Sequence, residues 1–164
     1  PLLFKTMHVA NRLREFSLRI PLTLFIYVER EPEDVALSIL RARIDYYGHP
    51  DSWWATRIPG DENLMDAPYY EQIAQQVVGL RSLYESLLSG ISANQWLHVP
   101  YMKLCEEPDR VLSDVQQALD LAYGYQIMMS NQRLAPFEYV THNAPYSPEE
   151  ILVLSRLREL GSDL

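Results

Sequence analysis

Two periods alternate along the chain. Residues 24–28 (LFIYV) are a continuous apolar and aromatic run, which predicts a strand buried on both faces. From Pro32 the period becomes helical. Val35, Ile39 and Ala42, with Ala36, Leu40 and Ile44, line one side, while Asp34, Ser38, Arg41 and Asp45 fall on a polar face. Pro32 suits a first helical turn, where its missing N–H does no harm. Glu31, Glu33 and Asp34 beside it are favoured by the helix dipole. Arg41 and Arg43 read as solvated arginines of this helix. Residues 48–67 read as a loop holding the adjacent Trp53 and Trp54.

Residues 69–88 predict a long helix, with Ile73, Val77, Leu80, Tyr84 and Leu87 at helical spacing and Gly90 as its stop. Residues 95–99 read as a second strand, ended by Pro100. Residues 109–122 read as an amphipathic helix on Val111, Leu112, Val115 and Leu119, and 130–144 as irregular. Ser147-Pro148-Glu149-Glu150 is a helix start, with an N-cap, a proline at the first position and a glutamate closing a capping box. Residues 151–160 follow, ended by Gly161. No internal repeat is present. Strand, helix, long helix, strand, helix predicts an α/β fold, a parallel sheet flanked by helices. Ligands of such sheets bind beyond the carboxyl ends of the strands, and Arg30 and Tyr101 stand at two such ends.

The 164 residues are enough for one domain, 1–164, with a real core. No apolar run reaches membrane-spanning length, and residues 1–10 lack the basic-then-apolar pattern of a secretory signal. The chain opens with Pro1, as a processed chain or a fragment would. A net charge of −8 argues against nucleic acid, because phosphate contacts need clustered Lys and Arg, and the 14 here are scattered. Any anion site must be built from specific residues. Cys105 is the one cysteine, so neither an intrachain disulfide nor a cysteine-based zinc site is available. That composition suits a reducing, cytoplasmic setting.

The candidate chemistry centres on Arg30 and Ser38, eight residues apart. A guanidinium presents a fork of donors to phosphate oxygens, and a hydroxyl near a helix N-terminus adds to a site already favourable to anions. The plainer alternatives are an Arg30–Asp34 ion pair and a solvated Ser38. His49 with Asp51, and His142 with Glu138, make no three-ligand pattern and read as loop residues, so no metal is expected. Trp53 and Trp54 either line a pocket or pack the loop. Tyr69 and Tyr70 read as packing at the start of the long helix.

The segment Tyr27-Val-Glu-Arg30-Glu-Pro-Glu-Asp-Val-Ala-Leu-Ser38 resembles the 3′-phosphate-binding motif of the sulfotransferase family, a strand ending in Arg with a Ser eight residues later. The stretch from His98-Val-Pro-Tyr101 to Pro108 resembles that family's later strand and loop, with Met102 and Lys103 where relatives carry Glu-Asp. Trp53-Trp54-Ala-Thr-Arg57, Pro68-Tyr-Tyr-Glu-Gln72, and Pro136-Phe137 with Asn143 and Ser147-Pro-Glu-Glu150 look like bacterial-type members, so the resemblance covers most of the chain.

The resemblance implies a transferase that moves a sulfuryl group from 3′-phosphoadenosine 5′-phosphosulfate (PAPS) to an acceptor hydroxyl, without metal. Arg30 and Ser38 would hold the 3′-phosphate and Tyr101 the adenine. Leu2-Leu-Phe4-Lys5-Thr6-Met7-His8 is similar to the family strand that precedes these motifs. It gives Lys5 a part in stabilising the transferring group and His8 that of catalytic base, although His8 falls one residue late. The family's Pro-Lys-X-Gly-Thr-Thr phosphosulfate loop is missing, and Arg133 is a loose substitute for its late Arg-Lys-Gly motif. The chain thus reads as the C-terminal part of a P-loop-type sulfotransferase domain lacking the phosphosulfate loop, inactive alone and inclined to self-associate. A small molecule, a glycan or a carrier-bound intermediate would serve as acceptor. The rival readings are a non-catalytic remnant or protein-interaction module of the same fold, and another nucleotide-binding transferase.

Overall fold

The computed structural model describes residues 3–5, 12–126, 133–139 and 145–161. In chain order these form α1 (Leu13–Arg19), β1 (Phe25–Glu29), α2 (Pro32–Tyr47), α3 (Tyr69–Ser89), β2 (Trp96–Pro100), α4 (Tyr101–Glu106), α5 (Pro108–Tyr123) and α6 (Pro148–Gly161). Single 3₁₀ turns lie at Asp61–Leu64 and Ala93–Gln95. The expected α/β class holds at this coarse level: two parallel strands with helices around them. Among the described residues no helix is long and apolar enough to cross a membrane. The chain divides into two compact units, Pro1–Arg30 with Ser86–Thr141, and Glu31–Glu85 with His142–Leu164.

The first unit is built on the strand pair. β1 and β2 run parallel in the register Phe25↔Trp96 to Glu29↔Pro100. Phe25, Tyr27 and Trp96 pack on a cluster of Leu13, Leu88 and Ile91. Alternate residues of a strand point to opposite faces, and on β1 the residues of the other face are partly exposed: Ile26 is 37% and Val28 45% exposed. This corrects the expectation of a strand buried on both faces for β1, although Val99, the β2 partner of Val28 on that face, is buried. The strand also starts and ends one residue later than predicted. Pro100, expected to end β2, is its last residue, and the chain turns directly into α4. α5 opens with Pro108 and closes with Gly124 in the left-handed region (φ 63°), where glycine carries no Cβ penalty. The Tyr123 hydroxyl donates to the Thr23 carbonyl at 2.6 Å. Leu3, Phe4 and Lys5 are exposed and form no regular structure, so the strand expected there is not seen in its described part.

The second unit is helical. Ala36, Ile39 and Leu40 of α2, Ile73, Ala74 and Val77 of α3, and Val153 and Leu157 of α6 form its core, with Trp54, Tyr69 and Tyr70 packed against it. α2 begins at Pro32 and ends at Gly48, whose φ of 78° is a C-cap conformation glycine adopts freely. α6 begins with the expected capping box: Glu150 N–H donates to Ser147 Oγ at 3.2 Å, and Ser147 N–H to Glu150 Oε2 at 2.9 Å. Three cross-helix pairs surround the core. Arg41 donates from Nε and Nη2 to Glu150 Oε1 at 3.1 and 2.9 Å. Arg156 grips Glu71, and Arg158 Nε donates to Glu33 at 3.0 Å. Two expectations about α2 fail. Arg41 is tied to α6 rather than solvated, and Arg43 is completely buried.

Candidate functional site

β1 ends at Glu29 and β2 at its register partner Pro100, so the next residue of each strand is Arg30 and Tyr101. Parallel pairing therefore sets the guanidinium beside the phenol. Arg30 Cζ lies 5.3 Å from the Tyr101 ring centroid and 5.8 Å from that of Tyr139. The two rings stand 5.8 Å apart, tilted by 48°. Both separations fall within cation–π range. All three side chains are half-buried.

Each member of this cluster is held by local structure. Tyr101 is the first residue of α4, and Pro100 before it adopts the extended φ/ψ of a helix entry. Its hydroxyl titrates above the ordinary phenol value, first through a hydrogen bond with the Cys105 side chain; the charge of Arg30 acts in the opposite direction. Tyr139 sits in a segment without regular structure, 133–139. That segment is tied down by Leu134 N–H donating to Asp109 Oδ1 at 2.9 Å and Phe137 N–H donating to the Cys105 carbonyl at 2.8 Å. Next to Arg30, Glu29 Oε2 lies 2.7 Å from His98 Nε2, and Tyr27 stacks on the His98 ring at 5.8 Å. Lys103 is paired with Asp114 at 2.6 Å.

The structure thus brings together two of the sequence-predicted residues, Arg30 and Tyr101, and adds Tyr139, which no period or motif had marked. Ser38 belongs to the second unit, exposed on the second turn of α2. Lys5 is exposed. His8 lies outside the described residues, as do His142 and Asn143. Arg133 is exposed. The two tryptophans pack the loop of the second unit: Trp54 lies 5.1 Å from Tyr46, and Trp53 lies against Arg43 and Arg57. Tyr69 and Tyr70 meet edge to face at 5.6 Å, as expected of packing residues.

A cation beside two neighbouring aromatic rings, beyond the ends of parallel strands, suits a ligand that carries both an anion and a flat ring. The guanidinium supplies charge-assisted donors, and the rings supply stacking surface. In a chain of net charge −8, such a site attracts an anion only through its own local charge. No family model matches this chain, and neither a curated protein nor a solved structure matches it significantly.

Proposed function

We propose that this chain forms the 3′-phosphoadenosine end of a sulfotransferase donor site, within a P-loop-type sulfotransferase fold. Arg30 grips the 3′-phosphate of PAPS, and Tyr101, joined by Tyr139, lies against the adenine. Lys5 balances charge on the transferring sulfuryl group, and His8 takes the proton of the acceptor hydroxyl. That acceptor is a small molecule, a glycan or a carrier-bound intermediate. The observation that carries the reading is the meeting of Arg30 and Tyr101 past the ends of paired parallel strands, the place where such sheets bind ligands. The residues also suit the group. A guanidinium reads a phosphate dianion, and a phenol ring reads a base by its face. No Pro-Lys-X-Gly-Thr-Thr run occurs in the 164 residues, so on this reading the phosphosulfate end of the site is built by other polypeptide.

Calorimetric titration with 3′-phosphoadenosine 5′-phosphate and with adenosine 5′-monophosphate tests the proposal. Tighter binding of the bisphosphate is expected, and equal affinities would remove it. A second reading, a non-catalytic module of the same architecture that binds a protein, is favoured by the exposed Ile26 and Val28 of β1. That reading predicts no binding of either nucleotide.

A further inference from the structure

Charge is spread unevenly along the chain. The first 28 residues hold four Lys or Arg and a single acid, Glu15, in a protein of net charge −8. Three of those bases, Arg12, Arg14 and Arg19, stand on or beside α1, and all three are exposed. In the second unit Arg41, Arg57, Arg156 and Arg158 each hold a carboxylate. Arg12, Arg14 and Arg19 form no ion pair among the described residues, and Glu15, one turn before Arg19, pairs with none of them.

α1 is fixed on one side and open on the other. Leu13 is buried against Leu88 and Ile91, and Phe16 and Ser17 are half-buried. With a turn every ~3.6 residues, the opposite side carries Arg14 and Leu18, flanked by Glu15 and Arg19. Leu18 is 73% exposed, and the turn after the helix adds Ile20 at 50% and Leu22 at 69%. That turn is held in place: Ile20 N–H donates to the Phe16 carbonyl at 2.8 Å, and the Tyr123 hydroxyl to the Thr23 carbonyl at 2.6 Å. A half-open groove of about 480 Å³ is lined by Arg12, Glu15, Phe16, Arg19 and Ile20. It sets two guanidinia beside an aromatic ring and an aliphatic side chain, which suits a phosphate joined to a hydrocarbon chain.

An occupant of this surface has to suit the cations and the apolar tips together. A soluble anion would engage the arginines and leave Leu18, Ile20 and Leu22 in water. An acidic protein would need a shaped apolar pocket for each tip. An anionic bilayer surface needs no such match: its headgroups take the guanidinia, and the interface below them takes the apolar side chains. Every acid but Glu15 lies beyond residue 28, so the rest of the chain is repelled by such a surface and contact is confined to this face. We propose that α1 and the turn after it dock the protein on an anionic phospholipid surface, with Arg12, Arg14 and Arg19 at the headgroups and Leu18 and Leu22 entering the interface. This face is separate from the Arg30 cluster and does not depend on its role.

The test is co-sedimentation of the intact protein with sucrose-loaded vesicles, of phosphatidylcholine alone and of equal parts phosphatidylcholine and phosphatidylserine. Binding is expected on the anionic vesicles and not on the neutral ones, and should weaken as salt is raised. Each arginine should be worth about fivefold in affinity, so Arg14→Gln and Arg19→Gln should each weaken binding by that factor, and both together with Arg12→Gln by roughly 100-fold. Leu18→Ser should weaken it too. Arg110→Gln, at an exposed arginine of the same unit, should leave it unchanged. Equal binding to both kinds of vesicle overturns the proposal, as does parent affinity in Arg14→Gln and Arg19→Gln or in Leu18→Ser. A dimer in light scattering that the arginine variants lose, with no vesicle binding, would make a second copy the occupant and overturn it as well.

Discussion

Arg30 and Tyr101 lie far apart in sequence and 5.3 Å apart in space, guanidinium to ring, because each is the first residue beyond one of two strands in parallel register. Moving that register by one residue would also turn the strand faces over. The contact therefore depends on the sheet as much as on the two side chains.

Glu150 serves two partners at once. One carboxylate oxygen closes the capping box with Ser147 N–H, and the other receives both contacts from Arg41 of α2. Ser147→Ala removes the cap alone and should cost about 1 kcal/mol. Glu150→Ala removes both links and should cost more, about 1.5–3 kcal/mol. Equal losses in urea denaturation would mean that the Arg41 contact adds nothing.

Ala55 has a φ of 68°, the left-handed region, without being glycine. An L-residue there carries a penalty of about 1–2 kcal/mol, and glycine would lose about 0.5–1 kcal/mol of that gain to its freer unfolded chain. Ala55→Gly should therefore raise stability by up to about 1.5 kcal/mol. A lower melting temperature would show that the Ala55 methyl contributes packing larger than the strain.

The Glu71 carboxyl titrates below its ordinary value of 4.5, first through the hydrogen bond from Arg156, with desolvation opposing. Its pKa is thus lower folded than unfolded. The stabilisation is present above 4.5 and lost as pH falls through the lowered folded value. The stability gap between the parent and Glu71→Gln should be constant near neutral pH and shrink in acid below 4.5. A gap that persists unchanged down to pH ~3 would contradict this assignment.

What was legible in the sequence is what local chemistry determines. Pro32, Gly48 and the Ser147–Glu150 box fix helix ends through their own backbone groups, and the structure has those ends. Arg30 and Tyr101 were legible as strand-end residues because two short apolar runs flank two helices. Arg43 was not legible. Its helical position beside Arg41 suggests solvent, and its burial comes from Pro50, Trp53 and Gln72, which approach it through a loop and another helix. Tyr139 was not legible either, since a segment without period is placed only by its bonds to Asp109 and Cys105. α1 and α4, of seven and six residues, are too short for a period to mark them. The open face of β1 depends on how many layers cover the sheet, which an apolar run does not specify.

The central claim is that Arg30 reads a 3′-phosphate beside an aromatic wall. The most direct measurement compares, by calorimetry, the affinities of 3′-phosphoadenosine 5′-phosphate and adenosine 5′-monophosphate for the parent and for Arg30→Ala. The loss of a charge-assisted bond, about 1.5–3 kcal/mol, should fall on the bisphosphate alone, so that the parent's preference for it drops by roughly 10- to 150-fold while monophosphate binding stays nearly unchanged. Equal weakening of both nucleotides, or an unaltered preference in Arg30→Ala, would contradict the assignment of Arg30 to the 3′-phosphate.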